Sequence, residues 1–418
     1  MRNLGLLLVF GSVMWMAACG GGNSSSSSNP PPPSGTNNVQ AIVVDAGPQP
    51  QTFIATNEVF TSVTVCVPGS SQCQTIDHVL VDTGSEGLRV LSSVLTLSLP
   101  QENDSSGRPL DECLAFADGY VWGPVATADI SMAGEKASSA PIQVIIPSSG
   151  SPPVPGSCSD QNPPGGNGDE GDSVTALGAN AIIGVGLFQQ DCGLGCTSAN
   201  QNIPDWYFEC TSSGCTHTYA TLQQQLQNPV SMFATDNNGV LLELPAVPNG
   251  GSASVNGSMI FGIGTQSNNA LGSATVYQVP DNGNTAGDII TTFNGQSYNQ
   301  SFIDSGSNGL FFLDSGTTGI QSCSGQNSVW YCPSSPDSLT ASNQGQNSSG
   351  PVGSSVPVNF TIENANSLFS GNNTAFSTLG GPNPGAFDWG LPFFFGRSVF
   401  TAIENKSTPG GTGPYFAY

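Results

Sequence analysis

The sequence predicts an all-β protein built from two related lobes. Short runs of β-branched and apolar residues are punctuated by Gly, Pro and Asn. No long stretch carries the 3.6-residue period of an amphipathic helix. One short pattern occurs twice, about half the chain apart. Its first copy is Val79-Leu80-Val81-Asp82-Thr83-Gly84-Ser85-Glu86-Gly87-Leu88, and its second is Phe302-Ile303-Asp304-Ser305-Gly306-Ser307-Asn308-Gly309-Leu310.

Composition narrows the function. The 418 residues hold 6 Lys and Arg against 29 Asp and Glu, a formal charge of −23, and only 8% are charged, where about 25% is usual. The surface must therefore be mostly uncharged polar. No basic footprint exists for nucleic acid, and no heptads exist for a coiled coil. The acids are expected mainly on surface loops, with few salt bridges to lose as pH falls, so an acidic working pH is expected.

The elements follow in chain order. Arg2 precedes an apolar run over 4–16 that is too short to span a membrane. Met16-Ala17-Ala18-Cys19-Gly20 resembles a bacterial lipobox, which would make 1–18 a lipoprotein signal peptide and Cys19 the lipidated first residue. Met16 stands where such motifs prefer Leu. Residues 19–44, rich in Gly, Ser and then Pro, read as a tether. The expected location is the bacterial cell envelope, held at the outer membrane by that lipid. Residues 45–245 form the first lobe and 246–418 the second.

Strands are expected over 61–67, 79–81, 142–146 and 258–261, and one short helix over 219–226. The segments 148–172 and 321–356 read as surface loops. Ten Cys besides Cys19 imply disulfides in an exported chain. Cys66–Cys73 and Cys323–Cys332 are the close pairs, and Cys113–Cys158 a longer one. Cys192, Cys196, Cys210 and Cys215 could pair or hold zinc, though their spacing is loose and the compartment oxidising.

The repeat carries the chemistry. Each lobe offers one Asp at a strand-to-turn junction. Two carboxyls meeting between lobes cannot both ionise easily, so they share a proton and act as acid and base at one pH. Water held between them can be deprotonated as it attacks a carbonyl carbon. Gly84 and Gly306 allow close backbone approach. The Thr83 and Ser305 hydroxyls can brace the loops, and Ser85 and Ser307 can orient the carboxylates.

These residues resemble the paired D-[TS]-G-S motif of pepsin-like aspartic peptidases. Three further stretches fit the same order: 181–186, 257–262 and 389–403. The resemblance covers roughly 45–418. It implies a bilobal double β-barrel with a cleft between lobes, Asp82 and Asp304 as catalytic residues, a peptide or protein substrate, a monomer, and neither cofactor nor metal. The chain also looks similar to exported bacterial lipoproteins known only as a domain of unknown function. Arg89 stands where the peptidases usually carry an aromatic. The flap should lie near 116–123, with Phe116 and Tyr120 as candidates. Asp314-Ser315-Gly316-Thr317 also fits the tetrapeptide, but Leu310-Phe311-Phe312 after the motif selects Asp304.

Other readings are weaker. A serine hydrolase needs a His, and only His78 and His217 exist, with no G-x-S-x-G before a helix. Asp160, Asp169, Glu170 and Asp172 match no calcium loop. Gly262-Ile263-Gly264 lacks a following helix for a nucleotide. The live alternative is a catalytically silent pepsin-like module that binds peptide or glycan at the envelope.

Overall fold

The computed structural model describes residues 37–418, except 49–54, 105, 118, 148, 160–168, 199–202 and 212–213. Cys19 and the expected signal peptide lie outside the described residues. The protein is all-β, with a closed six-stranded barrel in the first lobe and a half-barrel in the second. Among the described residues no helix is long and apolar enough to cross a membrane.

The barrel closes in the order Val59–Cys66, Cys73–Asp82, Ala181–Val185, Glu86–Leu91, Glu135–Ile145 and Gly119–Met132, which returns to pair with Val59–Cys66. Each expected strand of this lobe coincides with one of these to within a residue at its end. The strands leading to and from the first motif are buried on both faces next to it, and Glu86–Leu91 is buried at every position. One face fills the barrel and the other is covered by neighbouring elements, so the motif is held from both sides.

The second lobe is an open sheet in the order Gly350–Ile362, Asp337–Asn347, Ile289–Phe293, Gln296–Ile303, Asn383–Trp389, Leu310–Leu313 and Gly380–Gly381. Phe293, Phe312, Phe360, Phe387 and Trp389 stack against one another with ring centroids 5.3 to 6.3 Å apart. Such rings bury much area and add geometric preference to it. A third set of strands joins the lobes: Val39–Val44, Val255–Phe261, Gly239–Leu244, Arg397–Ala402 and Tyr415–Ala417 run side by side.

Several expectations are corrected. The tether expected to reach residue 44 gives way to a strand at Val39, which pairs with Ile260. The supposed loop over 321–356 contains most of a long hairpin, Asp337–Asn347 with Gly350–Ile362. Its small polar residues hide a two-residue alternation that buries Ala341 and Val358. The expected helix over 219–226 is a set of turns. Thr221 spends its N–H and hydroxyl on the Gln224 side chain, and Gln225 turns inward to the carbonyls of Gly193 and Ala220. Side chains committed to local and buried partners compete with a helix. The run Phe393-Phe394-Phe395 is core and starts within a 3₁₀ turn. Finally, acids are not confined to loops: among the described residues, twelve Asp and Glu side chains are buried.

The disulfides are Cys66–Cys73, Cys113–Cys158, Cys192–Cys196, Cys210–Cys215 and Cys323–Cys332. The four cysteines that could have held zinc are thus two bridges. Cys113–Cys158 ties the loop after the barrel's long hairpin to the Leu110–Ala115 strand.

Candidate active site

The first motif is built where Cys73–Asp82 ends. Ala181–Val185 runs parallel beside it, with Asp82 level with Gly184. A Cβ on Gly184 would lie 2.4 Å from the Glu86 backbone nitrogen, so only Gly lets this strand pass under the turn. The second motif repeats the arrangement. Asn383–Trp389 runs parallel to Gln296–Ile303, and a Cβ on Gly390 would lie 2.2 Å from the Gly309 carbonyl.

The two turns interlock. Thr83 N–H donates to Ser305 Oγ at 3.1 Å, and Ser305 N–H donates to Thr83 Oγ1 at 2.9 Å. Ser305 Oγ then donates to the Val81 carbonyl at 2.7 Å. All three bonds are buried, where an unpaired donor costs about 1–3 kcal/mol. Thr83→Val and Ser305→Ala are therefore expected to destabilise the protein by about 1–3 kcal/mol each. The double variant should lose less than the sum, because the two changes remove different bonds of one interlock and either alone already loosens it. Urea unfolding of the four proteins measures this, and strict additivity would contradict the interlock.

The carboxyls are equipped alike. Asp82 Oδ1 accepts from Gly84 N–H at 2.7 Å, and Oδ2 accepts from the Ser85 hydroxyl. Asp304 Oδ1 accepts from Gly306 N–H at 2.8 Å, and Oδ2 from the Ser307 hydroxyl at 2.8 Å. The Asp304 carboxyl lies directly over Gly84: a Cβ there would meet its Cγ at 2.8 Å. Asp82 and Asp304 keep 0% and 1% of their surface exposed. Burial holds the proton affinity of Asp304 well above the usual carboxylate range, and the charges of Asp82 and then Asp388 add to it. A side-chain hydrogen bond with Asp82 raises it further. This is the electrostatics of two acids sharing one proton.

Asn57 fastens the second turn to the first lobe. Its side-chain N–H donates to the carbonyls of Asn308 at 3.0 Å and Phe376 at 2.9 Å, and its oxygen accepts from Phe376 N–H.

All eight residues of the paired motif singled out from sequence meet here. The decoy Asp314 instead caps the short Ser315–Thr318 helix, accepting from Thr317 N–H at 2.7 Å. Phe116 and Tyr120 flank the turn between Leu110–Ala115 and Gly119–Met132. Both are buried within the first lobe. Phe116 packs with Phe60, Leu80 and Ile182, and Tyr120 with Trp122, Phe208 and the Cys113–Cys158 bridge. His78 pairs with Asp77 and Asp45, and His217 with Asp205.

Three features escaped the sequence. Arg89 is fully buried and donates to the Glu86 carbonyl at 2.7 Å, Glu112 at 2.6 Å and Asp191 at 3.3 Å. The Tyr207 hydroxyl lies 2.9 Å from both oxygens of Asp191. An ion-paired guanidinium thus braces the segment behind the first motif, where the peptidases carry an aromatic. Glu86 follows Ser85 directly and is buried, and desolvation pushes its carboxyl up to about 8 despite the Phe188 N–H that donates to it. Asp388 precedes Trp389-Gly390. The signal for it was available: the matching position before Gly184 is Ile182.

Comparison with known proteins agrees with this fold. A family described as "Protein of unknown function (DUF3443)" matches residues 34–418. No curated protein matches the sequence. Among solved structures, the crystal structure of an aspartic proteinase from Irpex lacteus is similar at a TM-score of 0.50 and 15% identity, covering 91% of this chain and 96% of that one. At that identity the likeness concerns the fold.

Proposed function

We propose, from the premise that the chain belongs to the DUF3443 family, that it is a two-aspartate endopeptidase that cleaves extended peptide between its lobes. The observation that carries this reading is the reciprocal Thr83–Ser305 interlock, which sets two alike-equipped carboxyls to share a proton.

The chemistry follows from the proton count. Asp304, with raised proton affinity, holds the proton, and Asp82 is the base. Asp82 takes a proton from water as the oxygen attacks the peptide carbonyl carbon, and Asp304 gives its proton to the carbonyl oxygen. The result is a neutral tetrahedral diol. On collapse, Asp82 returns its proton to the leaving nitrogen and Asp304 regains one from the diol hydroxyl. The C–N bond breaks and both carboxyls end as they began. Lipidation of Cys19 would hold this activity at the cell envelope.

The position of Phe116 and Tyr120 favours a second reading. Their rings are used in packing within the first lobe, as suits a module that binds peptide or glycan without cleaving it. Incubating the exported domain with denatured protein from about pH 3 to 8, where a carboxyl pair titrates, separates the two. Fragments seen by mass spectrometry, most abundant between acidic and neutral pH, are expected. No fragments at any pH, with tight peptide or glycan binding, would replace the peptidase reading with the binding one.

A further inference from the structure

Asp388 is a third carboxyl at the pair, and nothing in the two-aspartate chemistry above uses it. It lies one strand over from the second motif, level with Phe302 and two residues before Asp304 in register. The Asp304 N–H donates to the neighbouring Trp389 carbonyl at 3.2 Å, which locks this register. Asp388 keeps 1% of its surface, and neither of its oxygens has a hydrogen bond of good geometry. The polar side chain that faces it is Ser307.

Ser307 already donates its hydroxyl hydrogen to Asp304 Oδ2 at 2.8 Å. A serine hydroxyl has one hydrogen and two lone pairs. Toward Asp388 it therefore offers only a lone pair, which an ionised carboxylate cannot use. While that hydrogen stays on Asp304, only a protonated Asp388 can complete the contact, by donating to Ser307 Oγ; an ionised Asp388 would draw the hydrogen to itself.

We propose that Asp388 is a positioning residue of the pair, a buried carboxylic acid that donates through Ser307 to Asp304 and fixes which way the Ser307 hydrogen points. This rests on the reading of Asp82 and Asp304 as the reacting pair. Burial raises the proton affinity of Asp388 well above the usual range, and the Asp82 charge adds to it. The titratable groups facing it are Asp82 and Asp304, and the Asp82 charge also reaches Glu86 in the first lobe. The consequence is a switch. While Asp388 is protonated, Ser307 serves Asp304. Once Asp388 ionises, it competes for the same hydrogen, and the second carboxyl loses its orienting bond.

The test uses two readouts. The first is independent of activity: carboxyl ¹³C titration of protein labelled at Asp, for wild type, Asp388→Asn and Ser307→Ala. Asp388 should titrate well above ordinary carboxylates, and both variants should move the Asp304 titration. An ordinary midpoint for Asp388, or an Asp304 titration unmoved by both variants, would overturn the proposal. Ser307→Ala serves should Asp388→Asn not fold.

The second readout is the pH profile of peptide hydrolysis. Asn keeps a donor but cannot ionise, so its alkaline limb should lie about one pH unit above wild type. Asp388→Leu supplies no donor, and kcat should fall about tenfold with KM little changed. Equal limbs in wild type and Asp388→Asn would overturn the proposal. If the titrations move as expected while wild type cleaves nothing, the peptidase reading fails and the positioning of Asp304 by Asp388 stands.

Discussion

Asp304→Asn, and separately Asp82→Asn, is expected to lower kcat/KM for peptide hydrolysis by about a thousandfold or more, the size of effect an acid or base contributes when the other partner cannot replace it. The fold should survive. An Asn oxygen still accepts from Gly306 N–H, as Asp304 Oδ1 does at 2.8 Å, and its amide can donate to Ser307 Oγ. The Thr83–Ser305 interlock is untouched. Each variant also removes one of two like groups buried side by side, so stability at neutral pH should hold or rise. Steady-state kinetics with chemical unfolding of the same samples checks both halves. A variant that unfolds says nothing about roles. A folded variant with wild-type kcat/KM would remove that Asp from the mechanism.

The second large effect concerns stability against pH. Glu86 is pushed up to about 8 and Asp111 to about 7, each first by burial, and Asp191, Asp304 and Asp388 are also held well above the usual range. The sign follows from proton counting. Between the unfolded pKa near 4 and these raised folded values, the folded state holds protons that the unfolded state has released. Stability is therefore full below about pH 4 as far as these groups are concerned and falls as pH rises toward 8. At about 1.4 kcal/mol per unit, Glu86 alone is worth a few kcal/mol. Asp129 and Asp104 are held below the usual range and act in the opposite sense, but their contribution is lost only on further acidification. The unfolding midpoint should thus be higher at pH 5 than at pH 8, and Glu86→Gln should flatten the slope. A midpoint that climbs steadily from pH 5 to pH 8 would contradict the assignment of these buried acids.

This bears on how much the sequence revealed. The barrel was legible because runs such as Thr61-Ser62-Val63-Thr64-Val65 alternate between a covered and a wet face. The Asp337–Ile362 hairpin was not, because its strands are written in Ser, Asn, Gln and Gly, whose composition says loop. The central pair was legible because it is a repeat, and a repeat needs no knowledge of long-range contacts. Glu86 stood in plain sight within that repeat, but its burial depends on Phe188, over a hundred residues on. The Arg89 cluster draws Glu112, Asp191 and Tyr207 from three separate segments, and no local pattern joins them. Asp388 was passed over because Trp389-Gly390 completed the apolar pattern without it.

Charge shows the same gap. The −23 balance suggested acids arrayed on wet loops. A sequence counts carboxyls but cannot say which are desolvated, and desolvation decides whether each favours or opposes folding at a given pH. Here four of the buried acids, Asp82, Glu86, Asp304 and Asp388, gather around the paired turns, and the chain's proton inventory is partly a property of the candidate site.

The measurement that tests the central claim most directly is peptide cleavage in ¹⁸O-enriched water, read by mass spectrometry for wild type and Asp304→Asn at mildly acidic pH. If the two carboxyls activate water directly, wild type yields fragments whose new C-termini carry the solvent label, no covalent enzyme adduct forms, and Asp304→Asn yields none. Wild type that leaves every peptide intact across the pH range, or folded Asp304→Asn that cleaves as well as wild type, would contradict it.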